Sequence, residues 1–278
     1  MSTQNALLTI LTEKINNDTL VLPTLPAIAL KVRKAADDPD INLNTMAEVI
    51  AQDPSLSARM IKISNSAYLG RTFKVSSVGQ AVTRIGLRQI KNISTALAME
   101  QLFVSKNELV SDYMKREWAK TIEIVANSMA TLQLYIQATK NRELSLDSMT
   151  LAALLSKIGI LPILTEAERH AEVFANPTFL EDAIDKLSSP IGANIMTTWG
   201  FSEEFVEVAS SWRDLSVLPD QLSYLDFVRI GAALSGQFDS QRDAVMNLAI
   251  MRNVVSDISV FESDEFLEMR DNAKSIFA

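Results

Sequence analysis

The sequence predicts an all-α protein, a multi-helix bundle with an N-terminal helical subdomain. Apolar residues recur at three- and four-residue spacing along most of the 278-residue chain, the period of helix faces turned towards a core. The 8 glycines and 8 prolines fall mostly between those periodic stretches, where they stop and start helices. Alternating strand patterns are scarce.

The first periodic segment covers residues 3–16, with Leu7, Ile10, Leu11 and Ile15 on one face. Leu22-Pro23-Thr24-Leu25-Pro26 then forces extended or turned backbone, because each proline biases its predecessor away from the helical region. Helices are expected over 27–36, 43–51 and 54–64. Asp53 reads as an N-cap with Pro54 at the first helical position, and Asn42 or Asn44 suits the cap before it. Ser76 or Ser77 opens a helix to Ile85, Gly86 breaks it, and another apolar helix runs over 87–102. The polar run 105–112 is the expected seam between an N-terminal helical part (1–108) and a helical bundle (109–240). Residues 241–278 add further helices.

The bundle opens on a long helix over 112–139, striped by Met114, Trp118, Ile122, Val125, Met129 and Leu132. Helices follow over 146–162, 178–187, 190–199, 202–213 and 222–234, then over 242–256 and 263–277. Gly200 suits the end of one and Ser202 the start of the next.

Hydrophobic residues make up 47% of the chain, enough for a substantial core. The balance of 26 basic against 34 acidic residues gives −8, which disfavours nucleic acid and anionic membranes as partners. Cysteine is absent, excluding disulfides, thiolate metal sites and thiol catalysis. Residues 1–11 lack the basic segment of a secretory signal, and no uninterrupted apolar run reaches the roughly 18 residues of a membrane span. The expected location is cytoplasmic, with no membrane partner.

The single histidine, His170, lies in the polar stretch Glu166-Ala167-Glu168-Arg169-His170 and reads as a surface residue rather than part of a catalytic triad. One histidine and no cysteine leave no donor set for zinc or iron. Carboxylates alone would suit magnesium or calcium, but no EF-hand loop is present. The runs Asp37-Asp38-Pro39-Asp40 and Glu203-Glu204 read as solvated turns or helix starts. No phosphate-cradling glycine loop occurs. No catalytic residue, metal or cofactor is therefore expected. Residues 77–93 resemble a helix-turn-helix carrying Arg84, Arg88 and Lys91. The apolar neighbours Val82, Ile85, Leu87, Ile90 and Ile93 favour a pair of core helices instead.

A longer pattern runs through the first part. It comprises Leu25-Pro26, Asp53-Pro54-Ser55-Leu56-Ser57-Ala58-Arg59, Asn65-Ser66-Ala67-Tyr68-Leu69-Gly70, Ser77, Ala81 and Ile85-Gly86-Leu87-Arg88-Gln89-Ile90. In this order and spacing it resembles the HDOD domain, the HD-related output domain of bacterial signalling proteins, over roughly 22–234. The resemblance implies a helical bundle related to metal-dependent HD phosphohydrolases, whose histidines and His-Asp pair hold divalent metals that activate water.

The matching positions depart from that chemistry. Where the family relative has Trp-x-His, this chain reads Trp118-Ala119-Lys120. Where it has Leu-Leu-His-Asp-Ile-Gly, the chain reads Leu154-Leu155-Ser156-Lys157-Ile158-Gly159. Ser188, ahead of Pro190-Ile191-Gly192-Ala193, matches a later histidine, and Ser210-Ser211-Trp212-Arg213-Asp214 replaces a histidine-rich stretch. A protonated ammonium has no lone pair and repels a dication. The resemblance thus implies a lost metal site. If the family fold holds, Lys120, Ser156, Lys157, Ser188, Trp212 and Arg213 face one pocket suited to a small anionic ligand. The alternative is that the lysines reach solvent along their apolar stems.

Among the motif residues, Asp53 and Pro54 are expected to start a helix, and Asn65 and Ser66 to bond a helix end and the turn after it. Gly70 and Gly86 supply backbone freedom. Arg59 or Arg71 is a candidate for partner contact. The function expected is a non-catalytic signal-transduction module acting through contacts with signalling proteins or a second copy of the chain, with the Met-containing C-terminal faces as a candidate surface. Two alternatives are a residual metal-dependent phosphohydrolase acting on a nucleotide or phosphoester, and a DNA-binding regulator using residues 77–93.

Overall fold

Side-chain caps decide where the early helices begin. Asn42 accepts from the backbone N–H groups of Asn44 and Thr45, both at 3.0 Å. Asp53 accepts from Leu56 N–H at 2.8 Å, and the Ser77 hydroxyl accepts from Gln80 N–H at 3.3 Å. Each cap satisfies a donor that the first helical turn leaves orphaned.

The computed structural model describes residues 6–66, 69, 73–170 and 177–277, with the side chains of Pro177 and Asp239 excepted. Gly70 and Arg71 lie outside the described residues. Among those described there are α-helices and short 3-10 segments but no strand. The first six helices are α1 (Ala6–Asn16), α2 (Ala27–Ala36), α3 (Leu43–Ala51), α4 (Pro54–Ser64), α5 (Val78–Ile85) and α6 (Leu87–Ala98). Next come α7 (Glu108–Thr139), α8 (Leu146–Leu155), α9 (Ile160–Glu168) and α10 (Pro177–Thr198). The last four are α11 (Glu203–Ser211), α12 (Tyr224–Leu234), α13 (Arg242–Met251) and α14 (Asp264–Lys274).

The 32-residue α7 is the spine, and α8, α12 and α14 pack along it. Helices α2 to α6 pack among themselves, and α6 joins them to α8. The N-terminal segment reaches the far side of the bundle. Lys14 on α1 pairs with Glu166 on α9 at 2.7 Å, and Trp199 Nε1 donates to Pro23 O at 3.1 Å. Arg33 lies over the Phe201 ring at 4.1 Å. The stretch Leu146–Glu168 is long and apolar enough to cross a bilayer by length and composition, yet 94% of its most apolar window is buried inside the protein. It forms the centre of the bundle, where α8 meets α6, α7, α11 and α12.

Several boundaries differ from the sequence expectation. The polar run 105–112 is not a loop throughout, because Asn107 caps α7 and the helix starts at Glu108. The segment expected as one helix over 146–162 breaks at 156–159 into α8 and α9. Conversely, residues 178–199, expected as two helices around Pro190, lie mostly in the single α10. Ala183, Ile184, Ile191 and Ile195 stay in helical phase across the proline and are all buried, so the continuous apolar face outweighs one missing backbone hydrogen bond. The apolar helix over 87–102 finishes as a 3-10 turn from Met99. The two C-terminal helices are shorter than expected, with a 3-10 segment (Ile258–Glu262) between them.

The family-motif residues of the first part hold this local structure. Asn65 caps α4, and its side chain exchanges two hydrogen bonds of 2.7 Å with the backbone of Val75 while also donating to Ile61 O at 3.0 Å. The Ser66 hydroxyl donates to Ile63 O at 2.7 Å. Gly86 turns the chain between α5 and α6 at φ 82°, a conformation that favours glycine. Asn65→Ala removes the bonds that fasten the 73–76 segment to α4 and leaves buried partners unmet. It is expected to lower stability by about 2–3 kcal/mol, read as a reduced urea midpoint with an unchanged slope.

Candidate functional site

The long helix α7 carries a carboxylate on a face that should be apolar. Glu117 is in helical phase with Met114, Thr121 and Ile124, and all four are buried. A buried carboxylate requires a counter-charge or a proton. Glu117 has two cationic partners: Lys157 Nζ at 2.5 Å and Lys120 Nζ at 2.9 Å.

Lys157 comes from the turn between α8 and α9. Gly159 in that turn passes so close to α10 that an added Cβ would lie 1.9 Å from Ser188 O. This close approach presses Ser156 and Lys157 into the interior, where each is 3% exposed. The Ser156 hydroxyl donates back to Ala153 O at 2.8 Å. The Lys157 ammonium donates to Glu117 and, at 3.2 Å, to Gln237 Oε1 just beyond α12. The expectation that the lysines snorkel to solvent fails for Lys157, because its stem enters from the core side. Lys120 does project outwards, with its side chain 52% exposed.

Two further predicted positions complete the cluster. Trp212, at the end of α11, is 1% exposed and meets Phe238 edge-on at 5.9 Å. Arg213 lies over the Trp212 ring at 4.8 Å and pairs with Asp185 on α10, one helical turn before Ser188. The structure therefore brings together residues from α7, the 156–159 turn, α10 and the end of α11. Lys157 and Arg213 already face carboxylates, so an anion held directly between them would displace an existing ion pair.

The electrostatics follow from this packing. Burial alone would raise the Glu117 carboxyl, but Lys157 and then Lys120 hold it below its ordinary 4.5. For Lys157, burial lowers the ammonium below its ordinary 10.5, Glu117 opposes that, and Lys120 and Arg213 add repulsion. The partners differ in balance for a physical reason. Glu117 has two cations beside it, whereas Lys157 has one carboxylate and two like charges.

On the solvent side of Glu117 a cleft of about 450 Å³ opens between α7 and α10. Leu109, Tyr113, Arg116, Glu117 and Lys120 line one wall, and Leu180 and Glu181 the other. Burial, with Glu117 and Glu181 nearby, pushes the Tyr113 phenol up to about 12, so its hydroxyl is a proton donor at neutral pH.

Other predicted residues lie elsewhere. Arg59 pairs with Glu100 beside a separate cavity of about 230 Å³, and Asp53 and Pro54 start α4. In the segment resembling a helix-turn-helix, Arg84 donates to Ser64 O and Phe73 O, and Lys91 pairs with Asp37 at 2.5 Å. Arg88 is exposed. His170 follows α9, with Nε2 3.4 Å from Glu166 Oε1.

Sequence reasoning missed Glu117 and Gln237. Glu117 was detectable as a carboxylate in phase with Met114 and Thr121. Gln237 follows Gly236 in a turn, and no periodicity marks it. The donor set does not suit a divalent metal. Among the described residues no three His, Asp or Glu side chains converge, and the buried carboxylate is already shared by two ammonium groups.

Comparison with known proteins gives the same picture of the fold. Residues 22–214 match the HDOD domain family. A crystal structure of a "Putative metal-dependent phosphohydrolase" from Shewanella amazonensis SB2B is 38% identical, covers 100% of both chains and superposes with a TM-score of 0.94. A "Putative signal transduction protein" from Marinobacter aquaeolei VT8 is 17% identical, with a TM-score of 0.60 over 93% of this chain and 59% of that one. An uncharacterized protein from Treponema pallidum (strain Nichols) is 24% identical over 212 residues, which are 72% of this chain and 39% of that relative. The chain thus spans well under half the length of that curated relative.

Removing Glu117 strands Lys157, which pairs with no other carboxylate among the described residues, whereas removing Lys157 leaves Glu117 its contact with Lys120. Glu117→Leu is expected to destabilise the protein by about 3–5 kcal/mol at neutral pH, and Glu117→Leu/Lys157→Met to recover most of that loss. Because Glu117 is depressed in the folded state, its contribution is present above 4.5 and is lost as pH falls through the lower folded value. Urea titrations at descending pH should show a shallower acid loss in the double variant than in the wild type.

Proposed function

The chain belongs to the HDOD domain family, related to HD-domain phosphohydrolases, and we propose that it is a non-catalytic signal-transduction module acting through protein contacts. The observation that carries this reading is the buried Lys157 ammonium, neutralised by Glu117, at the position to which the family resemblance assigns a metal-binding aspartate. Water activation needs a Lewis acid or a general base facing the substrate. Here the buried carboxylate is occupied by two cations, and the single histidine lies beside Glu166 instead.

Support for recognition by contact comes from the outer surface. Met251 is 75% exposed at the end of α13, and Ile250 and Ile258 nearby are also exposed. The phosphohydrolase alternative draws on the family's relation to HD-domain phosphohydrolases and on the names of two Shewanella amazonensis relatives. The DNA-binding alternative is weakened by the internal partners of Arg84 and Lys91.

The test combines two measurements on the purified chain. Elemental analysis and titration with Mn²⁺ or Mg²⁺ should find no stoichiometric metal, and a panel of phosphoesters should show no metal-dependent turnover. Chelator-sensitive hydrolysis at one metal per chain or more would sink the reading. Its contact component predicts that Met251→Glu, expected to leave the circular dichroism spectrum unchanged, weakens association with a second copy or with a co-purifying protein.

A further inference from the structure

We propose that the cleft between α7 and α10 binds a small anion bearing a flat apolar group, an aromatic phosphate or carboxylate, through Arg116, Lys120 and Tyr113. That the molecule acts as a signal and not as a substrate rests on the non-catalytic reading above.

The size fits first. A volume of about 450 Å³ lies within the range of small-molecule sites. Its polar groups on α7 then specify charge. Among the described residues neither a carboxylate nor a hydrogen-bond acceptor meets the Arg116 guanidinium, which lies 5.3 Å from the Tyr113 ring centre. Lys120 shares its only carboxylate, Glu117, with the better buried Lys157. The Tyr113 hydroxyl likewise has no acceptor among the described residues.

Counting the cleft and its floor, Arg116, Lys120, Lys157 and Arg213 face Glu117, Glu181 and Asp185, four cations against three carboxylates. The surplus lies at the cleft wall and not in the core, because Lys157 and Arg213 are paired. This moves the anion site outward from the degenerate metal position.

The apolar surfaces specify the rest of the ligand. Tyr113 and Leu180 are partly or fully buried on facing walls, and Leu109 is left 64% exposed at the cleft. Three donors on one side and an aromatic and two leucine side chains around them match a molecule with an anionic end and a planar end. A bare inorganic anion would leave the apolar walls wet, and a neutral ring would leave the cations unmet.

Phenyl phosphate is the probe, followed by ligand-observed NMR and calorimetry on the full chain. It should bind saturably at millimolar concentration or below. Arg116→Ala/Lys120→Ala should weaken it by about tenfold or more, the scale of losing charge-assisted hydrogen bonds. Arg116→Ala alone, at an exposed residue, should keep the wild-type melting curve, and the double variant, in which Glu117 retains Lys157, should stay folded by circular dichroism. Inorganic phosphate and benzyl alcohol should each bind more weakly than phenyl phosphate.

Absence of saturable binding, equal affinity in the double variant, or equal binding of either fragment would overturn the proposal. The same samples report on the proposed function separately. Metal-dependent release of phenol would overturn the non-catalytic reading and make the bound molecule a substrate. Failure to bind would overturn the cleft assignment and leave that reading standing.

Discussion

The buried pair of Glu117 and Lys157 is the interaction on which the rest of the bundle's interior depends. It connects the spine helix α7 to the turn between α8 and α9, and through Gln237 to the end of α12. Asn127 donates to the Ser235 hydroxyl at 3.0 Å as a second polar tie between α7 and the end of α12. Each of these elements is otherwise held mainly by apolar packing, which tolerates small sliding. An ion pair removed from water does not, since any separation exposes two charges to a medium that solvates them poorly. The pair therefore fixes the register between helices more sharply than it adds to stability. The close approach of Gly159 to Ser188 serves the same end from the other side by holding the turn against α10.

In HD enzymes the comparable role falls to metal ions that gather ligands from several helices. On the reading proposed here, the same convergence persists in this chain with its chemistry replaced. Side chains from α7, the 156–159 turn, α10 and the end of α11 still meet, but they meet as ion pairs and aromatic contacts. Such a centre can position helices without activating water. The proposed non-catalytic role rests on this separation of architecture from catalysis, and it would leave the cleft above Glu117 to a ligand that is recognised and not transformed.

Much of the architecture was legible in the sequence because helices declare themselves through caps and period. Asn42, Asp53 and Ser77 mark helix starts that the structure confirms hydrogen bond by hydrogen bond. The failures occur where tertiary packing overrides local signals. Pro190 reads as a stop, yet α10 continues because its buried face is unbroken. The apolar run after Leu146 reads as one helix, yet it turns at 156–159 to bring Lys157 inside. For the candidate site, the family resemblance pointed to Lys120, Ser156, Lys157, Ser188, Trp212 and Arg213, but it could not show which charge neutralises which. Glu117 was hidden by assigning the α7 stripe through Trp118, one residue away from the carboxylate that faces inward. Gln237 was hidden because a contact between residues 80 positions apart leaves no local trace.

A tethered ammonium at the centre of the bundle differs from an exchangeable metal ion in one physical respect. A metal centre equilibrates with its surroundings, so starvation, chelation or displacement by a competing ion alters its occupancy. The Lys157 ammonium is synthesised with the polypeptide and has no dissociation constant from it. If the proposed reading holds, a module organised in this way keeps the same internal geometry whether the cell is rich or poor in divalent cations.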